Sequence, residues 1–250
     1  LTTVAVAGKG GVGKTVIAAL LIKALSEKGV VLAIDADPST NLNLALGLPL
    51  TETVGRVRED LTEDITKGSL PTGVSKQELL DMKIREALVE SARIDLLAMG
   101  RPEGPGCYCA ANHMLRLSID QLAKSYDYTV IDCEAGMEHI SRRTTRDIDI
   151  LLIISDPTIR GVTAAARMKE LMKELRTRTG KIYLAVNRVK DGLPKEIGEA
   201  INKSGLNLIA IIPEDPNIAP LEVKGAPLVE LPPDSPLQSG VREIVTKLGL

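Results

Sequence analysis

Residues 8–15 read Gly-Lys-Gly-Gly-Val-Gly-Lys-Thr, set between the apolar run TTVAVAG and a stretch whose apolar residues recur at helical spacing. Gly8, Gly13, Lys14 and Thr15 satisfy G-x-x-x-x-G-K-[ST], and they do so after a strand and at the opening of a helix, the context that gives the pattern meaning. Glycines let backbone N–H groups close on phosphate oxygens, the helix N-terminus adds partial positive charge, Lys14 supplies a cation, and the Thr15 hydroxyl is a ligand for Mg²⁺. The plainer alternative is a glycine-rich strand–helix turn without a ligand.

The rest of the chain alternates in the same way. TTVAVAG, VVLAID, RIDLLAMG, YTVID, DILLIIS, KIYLAV and LNLIAII read as buried strands, and unbroken apolar runs of that kind suit a parallel sheet covered on both faces. Between the first two, Ile17, Leu20, Leu21, Ala24 and Leu25 form a helical stripe, with Gly29 expected as its C-terminal cap. Met168, Leu171, Met172 and Leu175 form another. The expectation is α/β: a doubly wound, mostly parallel sheet of seven to eight strands with helices on both faces and ligands at the strands' carboxyl ends. A length of 250 residues suits one such domain over 1–250. Residues 50–78 have little periodicity and read as a short helix or a mobile insert. Residues 100–110, GRPEGPGCYCA, carry two prolines and three glycines and read as an irregular loop.

Composition removes several function classes. No apolar run approaches the roughly 18 residues of a spanning helix, and no signal-peptide pattern opens the chain, so a cytoplasmic protein without a membrane partner is expected. A net charge of −2 and the absence of Phe and Trp argue against a nucleic-acid partner.

Two carboxylate-bearing turns complete the phosphate site. Asp132 ends YTVID, placed to hold Mg²⁺ directly or through water, and Gly136 offers a backbone N–H to the γ-phosphate. Asp35 and Asp37 end the second strand, Asp35 as metal support and Asp37 as the group that orients the attacking water. The bland alternatives are a strand-end cap for Asp132 and a helix N-cap before Pro38 for Asp37. Guanine readers carry Asn-Lys-x-Asp after a late strand. Here Asn187-Arg188-Val189-Lys190 has no carboxylate in the reading position, which favours ATP. Lys9 is surplus to a loop that already has Lys14. It is a surface lysine, part of the loop turn, or aimed at another subunit's phosphates.

The eight loop residues resemble the deviant phosphate loop of the family that includes the nitrogenase iron protein, the arsenite-pump ATPase and the MinD and ParA partitioning ATPases, within the SIMIBI class of P-loop NTPases. Asp35-Ala36-Asp37-Pro38 and Asp132-Cys133-Glu134-Ala135-Gly136 are similar to its switch regions. The resemblance implies a homodimer that sandwiches ATP, with Lys9 acting in trans on the partner's nucleotide. It also implies a nucleotide site drawn from Gly8, Lys9, Gly10, Gly11, Val12, Gly13, Lys14, Thr15, Val16, Asp37, Gly136, Asn187, Arg188 and Pro213, with Asn187 near the adenine. Val16 stands where many relatives have a second threonine.

Cys107-Tyr108-Cys109 adds a second chemistry. Two thiolates make an open, weak site, but a two-fold dimer brings four, a tetrahedral set suited to Zn²⁺ and other thiophilic metals. A pair of structural or incidental cysteines is the alternative. GPGCYCAANHMLR at 104–116 and IDCEAGMEHISR at 131–142 resemble the CooC-type nickel-insertion ATPases and the similar AcsF branch. That resemblance implies Ni²⁺, or Zn²⁺ as isolated, on Cys107 and Cys109 at the dimer interface. The implied client is carbon monoxide dehydrogenase or acetyl-CoA synthase. Cys133 reads as a small switch residue, and His113 and His139 as surface or packing residues.

The rival reading is a positioning ATPase acting on DNA or membrane. Arg142, Arg143 and Arg146 form a small basic run, but Asp147 and Asp149 follow it. The last helix has Val241, Ile244, Val245 and Leu248 on one stripe and too few cations for a lipid-binding tail. An iron–sulfur ATPase is a third reading, but its ligands lie far apart in sequence.

Overall fold

The computed structural model describes residues 1–68, 73–101, 109–134, 147–174 and 178–250, with backbone only at 109–113, 147, 173 and 178. Cys107, Gly136, His139, Arg142, Arg143, Arg146 and Leu175 lie outside the described residues.

In chain order the elements are β1 (Thr2–Gly8), α1 (Lys14–Ser26), β2 (Val31–Asp35), α2 (Leu42–Leu46), α3 (Val54–Lys67), α4 (Lys76–Glu86), β3 (Ile94–Ala98), α5 (Cys109–Ala123) and β4 (Tyr128–Asp132). Then follow β5 (Asp147–Ser155), α6 (Ile159–Glu174), β6 (Arg178–Val189), α7 (Lys195–Ser204), β7 (Leu208–Pro213), α8 (Ile218–Lys224), a 3-10 turn at Leu228–Glu230 and α9 (Pro236–Leu248). The seven apolar runs are the seven strands. They form one sheet in the order β3-β2-β4-β1-β5-β6-β7, every neighbouring pair parallel.

Alternation along β1 explains the two layers. Val4 and Val6 face a core shared with α1 and α9, while Ala5 and Ala7 face the core of α4, α5, α6 and α7. Helix α1 buries more than one stripe: Val16, Ile17, Ala18, Ala19, Leu20, Leu21, Ile22 and Leu25 are all buried, because α9 and the 3-10 turn cover the side away from the sheet. Its C-cap is Glu27. Gly29, expected to be the cap, lies two residues on, where a Cβ would come within 2.5 Å of the Asp127 carboxylate.

The 50–78 stretch is corrected to two helices. Val54, Val57 and Leu61 are buried at i, i+3 and i+7 on α3. That helix starts at the Thr53 cap, whose side chain accepts from the Arg56 N–H, and ends at Gly68. Ser75 and Glu78 form a reciprocal capping box at the start of α4. The 100–110 loop is also shorter than expected, since α5 opens at Cys109. Among the described residues no helix is long and apolar enough to cross a membrane.

β1 lies between β4 and β5, with β2 and β3 built to one side of it and β6 and β7 to the other. That reversal opens a crevice at the carboxyl edge, and the 8–15 loop leaves β1 there. Backbone bonds carry the ladder past the strand ends: Ala36 N–H donates to Asp132 O at 2.9 Å, Met99 N–H to Asp35 O at 2.8 Å, and Gly55 N–H to Met99 O at 2.9 Å. The turns after β4 and β2, the N-terminus of α3 and the entrance to the cysteine segment are therefore tied in one row.

Candidate nucleotide site

Gly8 has φ +154°, and a Cβ there would stand 2.3 Å from the carbonyl oxygen of Ile154, so only glycine lets β1 turn out of the sheet at this point. Gly13, at φ +91°, caps α1 without any side-chain hydrogen bond, and the first turn of α1 holds no acidic residue. The first N–H groups of the helix thus keep their capacity for an anion. Val12 and Val16 do not face outward; both are buried and anchor the loop and the helix start in the core.

Lys14 is 8% exposed, and its Nζ donates to the carbonyl oxygen of Lys9 across the loop at 3.3 Å. That long bond keeps the ammonium over the loop interior. Lys9 itself is exposed, and its side chain forms no ion pair among the described residues. Of the two lysines, Lys14 is buried against the loop backbone and Lys9 is exposed to solvent.

Asp35 and Asp132 stand opposite each other in the β2–β4 register, and both are 1% exposed. Oδ1 of Asp35 accepts from the Asp37 N–H at 3.1 Å and Oδ2 from the Leu42 N–H at 3.0 Å. Burial pushes its carboxyl up to about 6, against the pull of those N–H groups. Asp35 therefore organises the turn from β2 into α2. Asp132 differs: its Oδ1 is buried with no hydrogen-bond partner among the described residues. Burial pushes this carboxyl up to about 7, opposed by a hydrogen bond from the Thr15 side chain, raised further by the charge of Asp35 and lowered by Lys14. A buried carboxylate oxygen without a hydrogen-bond donor, beside the Thr15 hydroxyl, is a pair of oxygen ligands that fits Mg²⁺, and the Lys14 ammonium nearby is a partner for phosphate and not a ligand.

Asp37 is partly exposed on the turn after β2 and accepts from both the backbone N–H and the hydroxyl of Ser39. It does not cap α2, whose N-cap is Asn41. Asn187 is 4% exposed and donates from Nδ2 to the Val12 carbonyl at 2.9 Å; Arg188 donates from Nη1 to the Gly11 carbonyl at 2.8 Å. In this structure both side chains hold the phosphate loop, and neither contact was foreseen from the sequence; the signal available there was a polar pair directly after the apolar run KIYLAV, inside β6. Pro213 ends β7 opposite Val189, one residue past Arg188.

The structure brings Gly8–Val16, Asp35, Asp37, Asp132, Asn187, Arg188 and Pro213 to one edge of the sheet. Cys109 contributes the first residue of α5, its side chain outside the described residues. Cys133 is buried within the core, and burial pushes its thiol far up, so it is a packing group rather than a reactive one.

Residues 3–228 match the family model described as the CobQ/CobB/MinD/ParA nucleotide binding domain. The chain is 46% identical over 246 residues to an uncharacterized ATP-binding protein of Methanocaldococcus jannaschii, covering 98% of this chain and 97% of that protein. It is 33% identical over 244 residues to the carbon monoxide dehydrogenase accessory protein CooC of Rhodospirillum rubrum, covering 92% and 90%. Among solved structures, the septum site-determining protein MinD of Pyrococcus horikoshii, complexed with Mg-ADP, superposes with a TM-score of 0.69 at 22% identity, covering 99% of this chain and 95% of that one.

Proposed function

The chain belongs to the CobQ/CobB/MinD/ParA family of P-loop ATPases, and on that premise we propose that it is an ATP-hydrolysing nickel chaperone. It closes as a homodimer around ATP and delivers Ni²⁺ to carbon monoxide dehydrogenase or acetyl-CoA synthase in the cytoplasm. The observation that carries this reading is the likeness to CooC along nine-tenths of both chains, in a sequence that also holds Cys107-Tyr108-Cys109 after β3.

The chain's own groups divide the work. Loop N–H groups and the N-terminus of α1 bind the phosphates, and Lys14 exchanges its long bond to Lys9 O for a phosphate oxygen. Thr15 and Asp132 hold Mg²⁺, which when bound neutralises phosphate charge. Gly136 donates its N–H to the γ-phosphate, and Asp37 orients the attacking water. Lys9, free of the loop, reaches the partner subunit's nucleotide. Cys107 and Cys109 from two subunits take the nickel as cargo, with Zn²⁺ as an alternative occupant, because availability as well as affinity decides which ion fills a thiolate site.

Coupling runs through the row of backbone bonds from Asp132 to Ala36, from Asp35 to Met99 and from Met99 to Gly55, which meets the chain where the cysteine segment begins. To invert a 1:99 preference between metal-holding and metal-releasing states, nucleotide must favour one of them by about 5.5 kcal/mol, within reach of a γ-phosphate contacted by two subunits.

The test is equilibrium nickel binding, with and without ATP, by the native chain and by one carrying Cys107→Ala and Cys109→Ala. The expected result is one Ni²⁺ per two chains, with an affinity that changes with ATP and is lost in the variant. Nickel binding that survives both substitutions overturns the reading. The family's MinD and ParA members favour a second reading, a positioning ATPase. ATP-dependent binding to anionic vesicles or duplex DNA, with no ATP-dependent nickel binding, would select it.

A further inference from the structure

We infer that Ser39 and Thr40, in the turn after β2, set how strongly the chain discriminates ATP from ADP, because they hold Asp37 in a resting conformation that a γ-phosphate has to release. The inference rests on the reading of Asp37 as the group that faces the γ-phosphate, and it is independent of the nickel reading.

The turn over 37–41 is fixed at both ends, since Asp35 accepts the Asp37 N–H on one carboxylate oxygen and the Leu42 N–H on the other. Rearrangement is therefore confined to the residues between. Within the turn, Asp37 Oδ1 accepts twice from one residue, from the Ser39 N–H at 2.8 Å and from the Ser39 hydroxyl at 2.5 Å. The second bond has the short length of a hydroxyl donating to a charged acceptor. Asn41 Nδ2 donates to the same hydroxyl at 2.9 Å. Ser39 thus gives its one hydroxyl proton to Asp37 while accepting another, a chain in which each bond polarises the next.

The backbone works against these bonds. Thr40 has φ +48°, the left-handed region that a β-branched residue enters only at a cost and keeps only where contacts hold it there. Its N–H donates to the Asp37 carbonyl at 3.1 Å and closes the turn. The resting turn is a balance: the Ser39 bonds favour it and the Thr40 conformation disfavours it.

A ligand shifts such a balance only through a group that distinguishes the two conformations. ADP ends in the phosphates that the loop itself cradles. ATP adds the γ-phosphate, whose attacking water needs the Asp37 carboxylate turned away from Ser39. The apparent affinity for ATP is therefore lowered by the fraction of chains still in the resting turn, while that for ADP is not.

Two substitutions should then pull in opposite directions. Ser39→Ala removes the hydroxyl bond and is expected to bind the β,γ-imido analogue of ATP about five-fold more tightly, the net worth of one hydrogen bond, with ADP affinity unchanged. Thr40→Gly relieves the strained backbone, stabilises the resting turn and should bind the analogue several-fold more weakly, again with ADP unchanged. Thr40→Asn, a residue that tolerates the left-handed region, should shift binding the same way by less and separates relief of strain from added flexibility. Equilibrium binding of both nucleotides with Mg²⁺, by the native chain and the three variants, is the measurement. Ser39 and Asn41 are exposed, so the fold does not depend on the contacts removed.

A merely damaged turn would weaken binding in every variant. Shifts of the same sign in Ser39→Ala and Thr40→Gly overturn the inference, as does a change for ADP as large as that for the analogue. Native ATP turnover by Asp37→Asn would remove the reading on which the inference rests, a result distinct from either. Failure of the native chain to bind both nucleotides refutes the nucleotide site and the inference with it.

Discussion

β2 and β4 lie side by side, end in aspartates at the same register position and bury them equally, yet the two ends are built for different work. Asp35 gives each carboxylate oxygen to a backbone N–H and so fixes the turn that carries Asp37. Asp132 keeps one buried oxygen without a partner among the described residues, beside Thr15 and Lys14. Burial alone does not separate a structural carboxylate from a metal-ready one; the count of donors around it does. Asp35, whose oxygens are filled by backbone N–H groups, holds the turn, and on the proposed reading the open oxygen of Asp132 is where Mg²⁺ would bind.

Removing the unfilled carboxylate is the largest test. Asp132→Ala is expected to lower Mg²⁺-dependent ATP turnover by about a thousand-fold, several kcal/mol of transition-state stabilisation, while the melting temperature stays at or above the native value. Steady-state phosphate release and a thermal melt decide it. Turnover within a few-fold of native would end the comparison, because Asp132 would then be only a strand-end cap.

The converse substitution should injure the fold first. Asp35→Ala leaves the Asp37 and Leu42 N–H groups without their acceptor in a buried turn. The expected loss is about 2–4 kcal/mol of stability, read as a lower denaturation midpoint in urea without magnesium or nucleotide. Unchanged stability, with turnover lost as completely as in Asp132→Ala, would make the two carboxylates functionally alike.

The sequence made one side of this contrast readable and hid the other. Both aspartates are visible as the last residues of apolar strands, and the sheet they end was legible because every strand is an unbroken apolar run. The contrast itself was not legible, because it depends on a turn of seven residues that folds back to place Leu42 N–H on Asp35. Helices α3 and α4 were obscured for a related reason. Their apolar positions are few, and the signals that define them are the local caps Thr53, Gly68, Ser75 and Glu78. The contact of Asn187, expected near the base, with the Val12 carbonyl spans 175 residues, and no local pattern encodes it. Cys107 and Gly136 lie outside the described residues, so their assignment still rests on sequence resemblance.

Acidity offers a smaller and sharper version of the same test. Both carboxyls are raised above their ordinary value of 3.8, Asp35 to about 6 and Asp132 to about 7. For a raised group the stabilising contribution is fully present below the unfolded value and is lost as pH rises through the folded one. The metal-free, nucleotide-free protein should therefore lose stability as pH climbs from about 4 to about 7, the span between the ordinary and the raised values. Asp132→Asn removes the ionisation responsible for the upper part of that fall. It should flatten the slope and melt above native at about pH 8 by at least ~2–4 °C, the shift that about 1 kcal/mol makes in a chain of this size. A variant melting below native at that pH would show that the Asp132 charge is already compensated in the metal-free protein.

The smallest expected effect separates the end of β4 from the cysteine segment. Cys133 follows Asp132 directly, but its Sγ is buried, with a weak contact to the Ile131 carbonyl at 3.7 Å, and its thiol is pushed far up by burial, with the Asp132 charge adding and Lys14 opposing. A thiol so held is neither a nucleophile nor a metal ligand at neutral pH. In a chain carrying Cys107→Ala and Cys109→Ala, a thiol reagent should find nothing to modify under native conditions and one group after denaturation. Adding Mg-ATP should leave that native result unchanged. Rapid native modification would mean that the β4 end opens spontaneously. The buried state of Asp132, on which its contrast with Asp35 rests, would then be only one of two conformations of that turn.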